Sequence, residues 1–178
     1  MQDFTFGKFK IHFQIEHGVV ISNTPGRRVA WIRTKEGDDL RLDYAFEDFH
    51  LRKGHEVYVI YAASSHKEGM YPVLLRNHNL SLSFDLESSD FLYQELIPTM
   101  RGNGWILAVL LIPWPFIYLL SGQVWGGIAL PLIYLMTVGK RDDKRKKRLV
   151  PELDNHIYML DRRATARYVV TRALSRNL

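Results

Sequence analysis

The 38 residues from Gly102 to Gly139 read GNGWILAVLLIPWPFIYLLSGQVWGGIALPLIYLMTVG and contain no Asp, Glu, Lys, Arg or His. Burying an uncharged, mostly apolar stretch of this length inside a chain of 178 residues requires more core than such a chain can build, so lipid is the better solvent for it. One straight helix, rising about 1.5 Å per residue, would overshoot a hydrocarbon layer of about 30 Å almost twofold. The stretch is therefore expected to fold into two arms, Trp105 to Leu120 and Val124 to Val138, around a turn at Ser121, Gly122 and Gln123. Each arm is short enough that a re-entrant hairpin is the rival to a spanning one. Pro113, Pro115 and Pro131 remove helical donors near the arm centres and predict kinks.

Immediately after the second arm stand seven basic residues, Lys140, Arg141, Lys144, Arg145, Lys146, Lys147 and Arg148, whereas the turn carries none. By the bias of basic residues toward the cytoplasmic face, both ends of the chain are expected inside, in a bacterial inner (plasma) membrane. The same cluster can attract anionic lipid headgroups, at about 1 kcal/mol per Lys or Arg close to the surface. A topology signal alone needs the same residues, and Asp142 and Asp143 weaken the headgroup reading. Abutting an apolar stretch and lacking interleaved aromatics, the cluster argues against nucleic acid as a partner.

Charge is unevenly distributed. Residues 140–178 hold 12 Lys/Arg against 5 Asp/Glu, a surplus of +7, while the remainder holds 12 against 14, or −2. The basic balance belongs to a tail.

Upstream of the apolar stretch the periodicity is two, as in half-buried strands. Phe9, Ile11, Phe13 and Ile15 alternate with Lys10, His12 and Gln14, and the phase of Phe4 and Phe6 changes at Gly7, where a bulge is expected. Further strands are expected at Val19 to Ser22, Arg28 to Thr34, Leu40 to Tyr44, Val57 to Ala62, Val73 to Arg76 and Leu80 to Leu86, the last alternating most strictly. Turn-rich punctuation between them predicts a small antiparallel β-barrel or sandwich. Ser89 or Asp90 caps a short helix through Leu96, ended by Pro98. After Pro151, a helical stripe of Leu153, Ile157, Leu160, Ala164, Tyr168, Thr171, Leu174 and Leu178 fits packing on the β-domain, on the bilayer or on another protomer.

The expected organisation is thus an α+β membrane protein. It comprises a cytoplasmic β-domain (1–87), an elbow helix (88–101), a transmembrane helical hairpin (102–139), a basic juxtamembrane segment (140–150) and a C-terminal amphipathic helix (151–178). No cysteine is present, which excludes disulfides and thiol catalysis. The seven histidines form no HxH or HExxH pattern, so no metal, cofactor or catalytic residue is assigned and the chain is read as a non-enzyme. The function expected is a membrane-anchored accessory or adaptor protein, with a protein partner, a ligand or a second copy of itself on the β-domain. Two alternatives are an oligomeric pore built from the hairpin and a membrane-tethered hydrolase or ligand-binding barrel using His50 and Asp48.

Overall fold

The computed structural model describes residues 2–7, 9–44, 50–98 and 124–176. Seven antiparallel strands form one sheet: β1 (Gln2–Phe6), β2 (Phe9–Thr24), β3 (Val29–Thr34), β4 (Asp39–Asp43), β5 (Glu56–Ser64), β6 (Lys67–Asn77) and β7 (Leu82–Asp85). Two helices follow, α1 (Ser89–Leu96) and α2 (Val124–Arg176). The strand order is β4-β3-β2-β5-β6-β7, with β1 also paired to β2.

At 16 residues, β2 is long enough to serve as a trunk. Along one edge it pairs with β5 from Ile11 to Val19, while its other edge is shared by β1 over its first half and β3 over its second. The phase change at Gly7 marks a hairpin turn, not the expected bulge: Phe6 pairs with Phe9, and Gly7 takes the positive φ of 57° that its missing Cβ makes cheap. The bulge lies further on. Val20 pairs with Ile32 and Ser22 with Trp31, leaving Ile21 as the extra residue. The backbone groups beside it are satisfied by the β4–β5 connection, since Val20 N donates to His55 O at 2.9 Å and Gly54 N to Val20 O at 2.8 Å.

Central β5 is buried on both faces, which explains why Val57-Tyr58-Val59-Ile60 reads as a continuous apolar run with no visible alternation. Tyr58, Ile60 and Ala62 join Ile11, Phe13 and Leu74 in a core beneath the helices. Val57 and Val59 face the other way, into a second core with Val20, Ala30, Ile32, Leu42, Leu51 and Leu75.

Helix α1 starts at Ser88, whose Oγ accepts from Phe91 N at 3.2 Å, and ends with Ile97 N donating to Tyr93 O. Helix α2 lies over the same sheet face. Leu149, Leu153, Ile157, Leu160 and Ala164, spaced four or three apart, are all at most 6% exposed and form its buried stripe. Polar ties join the two helices: Ser89 Oγ to Asp154, Lys146 Nζ to Asp90 at 2.8 Å, and Tyr93 OH to Asp142 at 3.2 Å.

The membrane expectations are overturned. Among the described residues no helix is long and apolar enough to cross a membrane. The first arm and the turn at Ser121 to Gln123 lie outside the described residues. Val124 to Val138, expected as the second arm, is instead the opening of a 53-residue helix that runs unbroken through the basic segment and through Pro151. Its uncharged part, Val124 to Gly139, rises only about 24 Å before Lys140, short of the ~30 Å a bilayer core demands. A transmembrane helical hairpin, a multi-pass topology and residence in a bacterial inner membrane with both termini cytoplasmic therefore do not stand. Neither does the barrel-or-sandwich layout with a separate terminal helix: the fold is one seven-stranded antiparallel sheet with two helices.

Candidate functional site: a cleft where the helix leaves the sheet

The odd-numbered residues of β2 point to the helix-bearing face. Ile11 and Phe13 are buried beneath the helices and Ile15 is partly covered. Continuing along the strand, His17, Val19 and the bulged Ile21 emerge as the floor of a cleft of about 840 Å³. One bank comes from β3 and the residue after it, Arg33, Thr34 and Lys35; the other is the end of α2, Arg167, Tyr168, Thr171, Arg172 and Ser175. Glu56 and Val57 on β5 and His78 after β6 complete it.

Local sequence explains the geometry. Gly18 pairs with Thr34 on one side and Val57 on the other. A Cβ there would lie 2.4 Å from Arg33 O and 2.6 Å from Ile32 Cγ2, so only glycine lets β3 approach this closely. By adding Ile21 on β2, the bulge also returns Asn23 to the opposite side, where it accepts from Tyr44 OH at 2.7 Å and donates to Leu51 O at 2.8 Å. Val19 and Trp31 remain 41% and 39% exposed on the uncovered end of the face.

The end of α2 is held over the cleft by buried polar chemistry. Asp161 is 5% exposed; its Oδ1 accepts from Tyr58 OH at 2.6 Å and its Oδ2 from Arg76 Nη1 at 3.0 Å. Burial and the hydrogen bond to Asp161 push the Tyr58 phenol well above its ordinary range, so it keeps its proton and donates. Two helical turns later Tyr168 stacks flat on His78, with ring centroids 3.4 Å apart and planes 8° from parallel. Its hydroxyl donates to Glu56 and accepts from Arg172 Nη1 at 3.1 Å. Burial, followed by the charge that His17 takes up in acid and by Arg76, lowers His78 to about 4, and its Nε2 has no hydrogen-bond partner among the described residues. Burial and then Lys35 also lower His17. Both imidazoles are neutral at pH 7.

Four cations thus line the cleft. Arg33 is held by both oxygens of Asp39, at 2.8 and 3.1 Å, and Arg172 by Tyr168. Among the described residues, exposed Lys35 and Arg167 make no ion pair. Glu56 is the sole carboxylate in the lining, and Tyr168 already occupies it.

The residues singled out from sequence lie elsewhere. Lys140, Arg141, Lys144, Lys147 and Arg148 are exposed on α2, far along the chain from the cleft residues of that helix. Arg145 is half-buried with its guanidinium carbon 5.1 Å from the ring centroids of both Phe6 and Phe9, and Lys146 pairs with Asp90. Exposed His50 is used through its carbonyl, which accepts from Asn77 Nδ2 at 3.4 Å, and Asp48 lies outside the described residues. Among the described residues no three His, Asp or Glu side chains converge as a metal site would require. The cleft is not legible in the sequence because its residues come from five separated segments; the one local signal is Val19 and Ile21 continuing the apolar parity of Ile11 to Ile15 past His17.

Comparison of the chain with protein-family models, curated proteins and solved structures yields no match.

Proposed function

We propose that the protein is a binding module of the adaptor class, whose cleft beneath the end of α2 receives a partner. One observation carries this reading: the helix-bearing face is sealed over Ile11 and Phe13 but open over His17, Val19 and Ile21, and the open part is concave. Binding sites are typically concave, of about 300 to 1,000 Å³, with apolar walls and a few convergent polar groups. A volume of about 840 Å³ with Val19 and Ile21 among cations and hydroxyls has that character.

The polar groups are better suited to holding than to reacting. Tyr168 is raised by burial and by its bond to Glu56, so it is a hydrogen-bond donor near neutral pH and not a base. Glu56 is occupied by that donor, and His78 is locked in its stack. The pore alternative has lost the hairpin on which it was built.

In-cell photocrosslinking tests the proposal. A benzophenone amino acid at Val19 or Trp31 is expected to yield adducts of discrete mass, and the same group at Glu68, near the start of β6 and beside the far end of β5, to yield none. Equal labelling at the three positions, or none at any, refutes the assignment of the cleft as the binding surface.

A further inference from the structure

Building on that reading, we infer that the occupant of the cleft is an acidic peptide segment carrying an aliphatic side chain between its carboxylates. The charges of the cleft are arranged as two banks with an apolar floor between them. Arg33 and Lys35 stand on the β3 side, Arg167 and Arg172 on the helix side, and Val19 and Ile21 lie below. Two of those cations, Lys35 and Arg167, have no ion-pair partner among the described residues, so each is available to a carboxylate from outside. Glu16 and Glu36 lie near enough to act electrostatically on His17, but neither belongs to the cleft wall. Complementary potentials of this kind select partners and set their register.

Peptide is favoured over nucleic acid by the floor. Base recognition in single strands relies on open aromatic faces as stacking platforms. Here the two parallel rings of the lining, His78 and Tyr168, are stacked on each other, Trp31 stands as a single ring beside the cleft, and what the floor offers is the branched aliphatic surface of Val19 and Ile21. That surface matches a Leu or Ile side chain, while the hydroxyls of Thr171 and Ser175 already donate to the helix carbonyls of Arg167 and Arg172, which leaves the cations as the groups that select the occupant.

Fluorescence anisotropy on the full chain tests this with four labelled probes: acetyl-Glu-Leu-Glu-Ile-Glu-amide, its Gln-for-Glu and Lys-for-Glu counterparts, and a deoxythymidine pentamer. At low salt, where charges are least screened, the Glu peptide is expected to bind about tenfold more tightly than the Gln peptide. Lys35→Gln combined with Arg167→Gln should weaken it about fivefold, and Arg162→Gln, on the helix outside the cleft, should leave it unchanged. Equal binding of the Glu and Gln peptides overturns the acidic assignment and leaves a neutral binding cleft. Tighter binding of the pentamer overturns it in favour of nucleic acid. Binding of the Lys peptide alone, or of no probe at all, also overturns it, while the crosslinking pattern at Val19 and Trp31 separately decides whether the cleft binds anything.

Discussion

Asp161 sits between two strands and a helix with both carboxylate oxygens engaged, one by the Tyr58 phenol and one by the Arg76 guanidinium. Removing its carboxylate leaves the part-buried Arg76 cation without its counter-charge, and the Tyr58 hydroxyl with only the Asp161 carbonyl at 3.0 Å and Thr165 Oγ1 at 3.1 Å. Asp161→Ala is therefore expected to destabilise the fold by about 3 to 5 kcal/mol, read as a fall in the urea midpoint at unchanged m-value. Replacing the clamp as a whole, by Asp161→Leu with Arg76→Met and Tyr58→Phe, should recover much of that loss, because a matched apolar set leaves nothing unpaired. Neither outcome was legible in the sequence. Asp161 stands beside the apolar stripe at Leu160, and its partners lie 85 and 103 positions away.

His78 ties the stability of the fold to pH. Its folded-state value of about 4 lies below the ordinary 6.5, so the unfolded chain binds the extra proton first as pH falls. The unfolded state holds more protons between those values, and stability therefore rises with pH across the window and is lost on acidification from about pH 6.5 toward 4. His17 is shifted in the same direction and adds to the slope. Thermal melts from pH 7 to 4.5 should show a steady decline, and the decline should be shallower in His78→Phe, which retains the ring against Tyr168 but cannot take up a proton. A decline equally steep in that variant would exclude His78 as its source.

At the scale of elements, α2 illustrates how a local rule is outweighed by packing. Pro151 lacks a backbone donor and crowds the preceding turn, which makes it a natural place to start a helix. The structure instead carries the helix straight through it, because Leu149 belongs to the same buried stripe as Leu153, Ile157, Leu160 and Ala164. Exposed Pro151 is consequently a defect carried on the outer side of the helix. Pro151→Ala should stabilise the protein by about 1 to 3 kcal/mol, measured by chemical denaturation, since it restores a donor without touching the core. Strands show the converse. Leu80 to Leu86 alternates more strictly than any other segment, yet β7 spans only Leu82–Asp85, Ser81 takes a positive φ of 55°, and Leu80 and Leu82 are over 40% exposed. Alternation reports two faces with different surroundings; at this sheet edge both faces are half open. β2 was readable because one of its faces is deeply buried and the other is not. The apolar stretch is ambiguous for a related reason: absence of charge does not by itself measure a membrane span, and in the described helix that absence ends after 16 residues and the same helix goes on as a charged element.

Considered whole, the molecule is two cores sharing one sheet. Among the described residues the inner core draws on strands, on Tyr44 and Leu86 just beyond their ends and on Leu51, but the outer one is closed by Leu92, Leu96, Leu149, Leu153 and Leu160 from the helices. A chain cut after residue 98 would leave Ile11, Phe13, Tyr58 and Ile60 without the cover of α2. Such a fragment is expected to retain β-type far-ultraviolet circular dichroism, to lose fixed near-ultraviolet signals and to bind an apolar dye strongly. A fragment with sharp tertiary signals and no dye binding would show that α2 is dispensable to the sheet.

Helix α2 closes the sheet from the far end of the chain, and that has a consequence during synthesis. The strands and α1 are complete once Leu96 has been made, but the outer face is not covered until Ala164 follows, about 70 residues later. At about 5 to 20 residues per second, the wait is on the order of 3 to 14 s. For that interval each nascent chain displays a bare aromatic and aliphatic sheet face beside the ribosome, so chaperone demand should track the rate of translation between those two points.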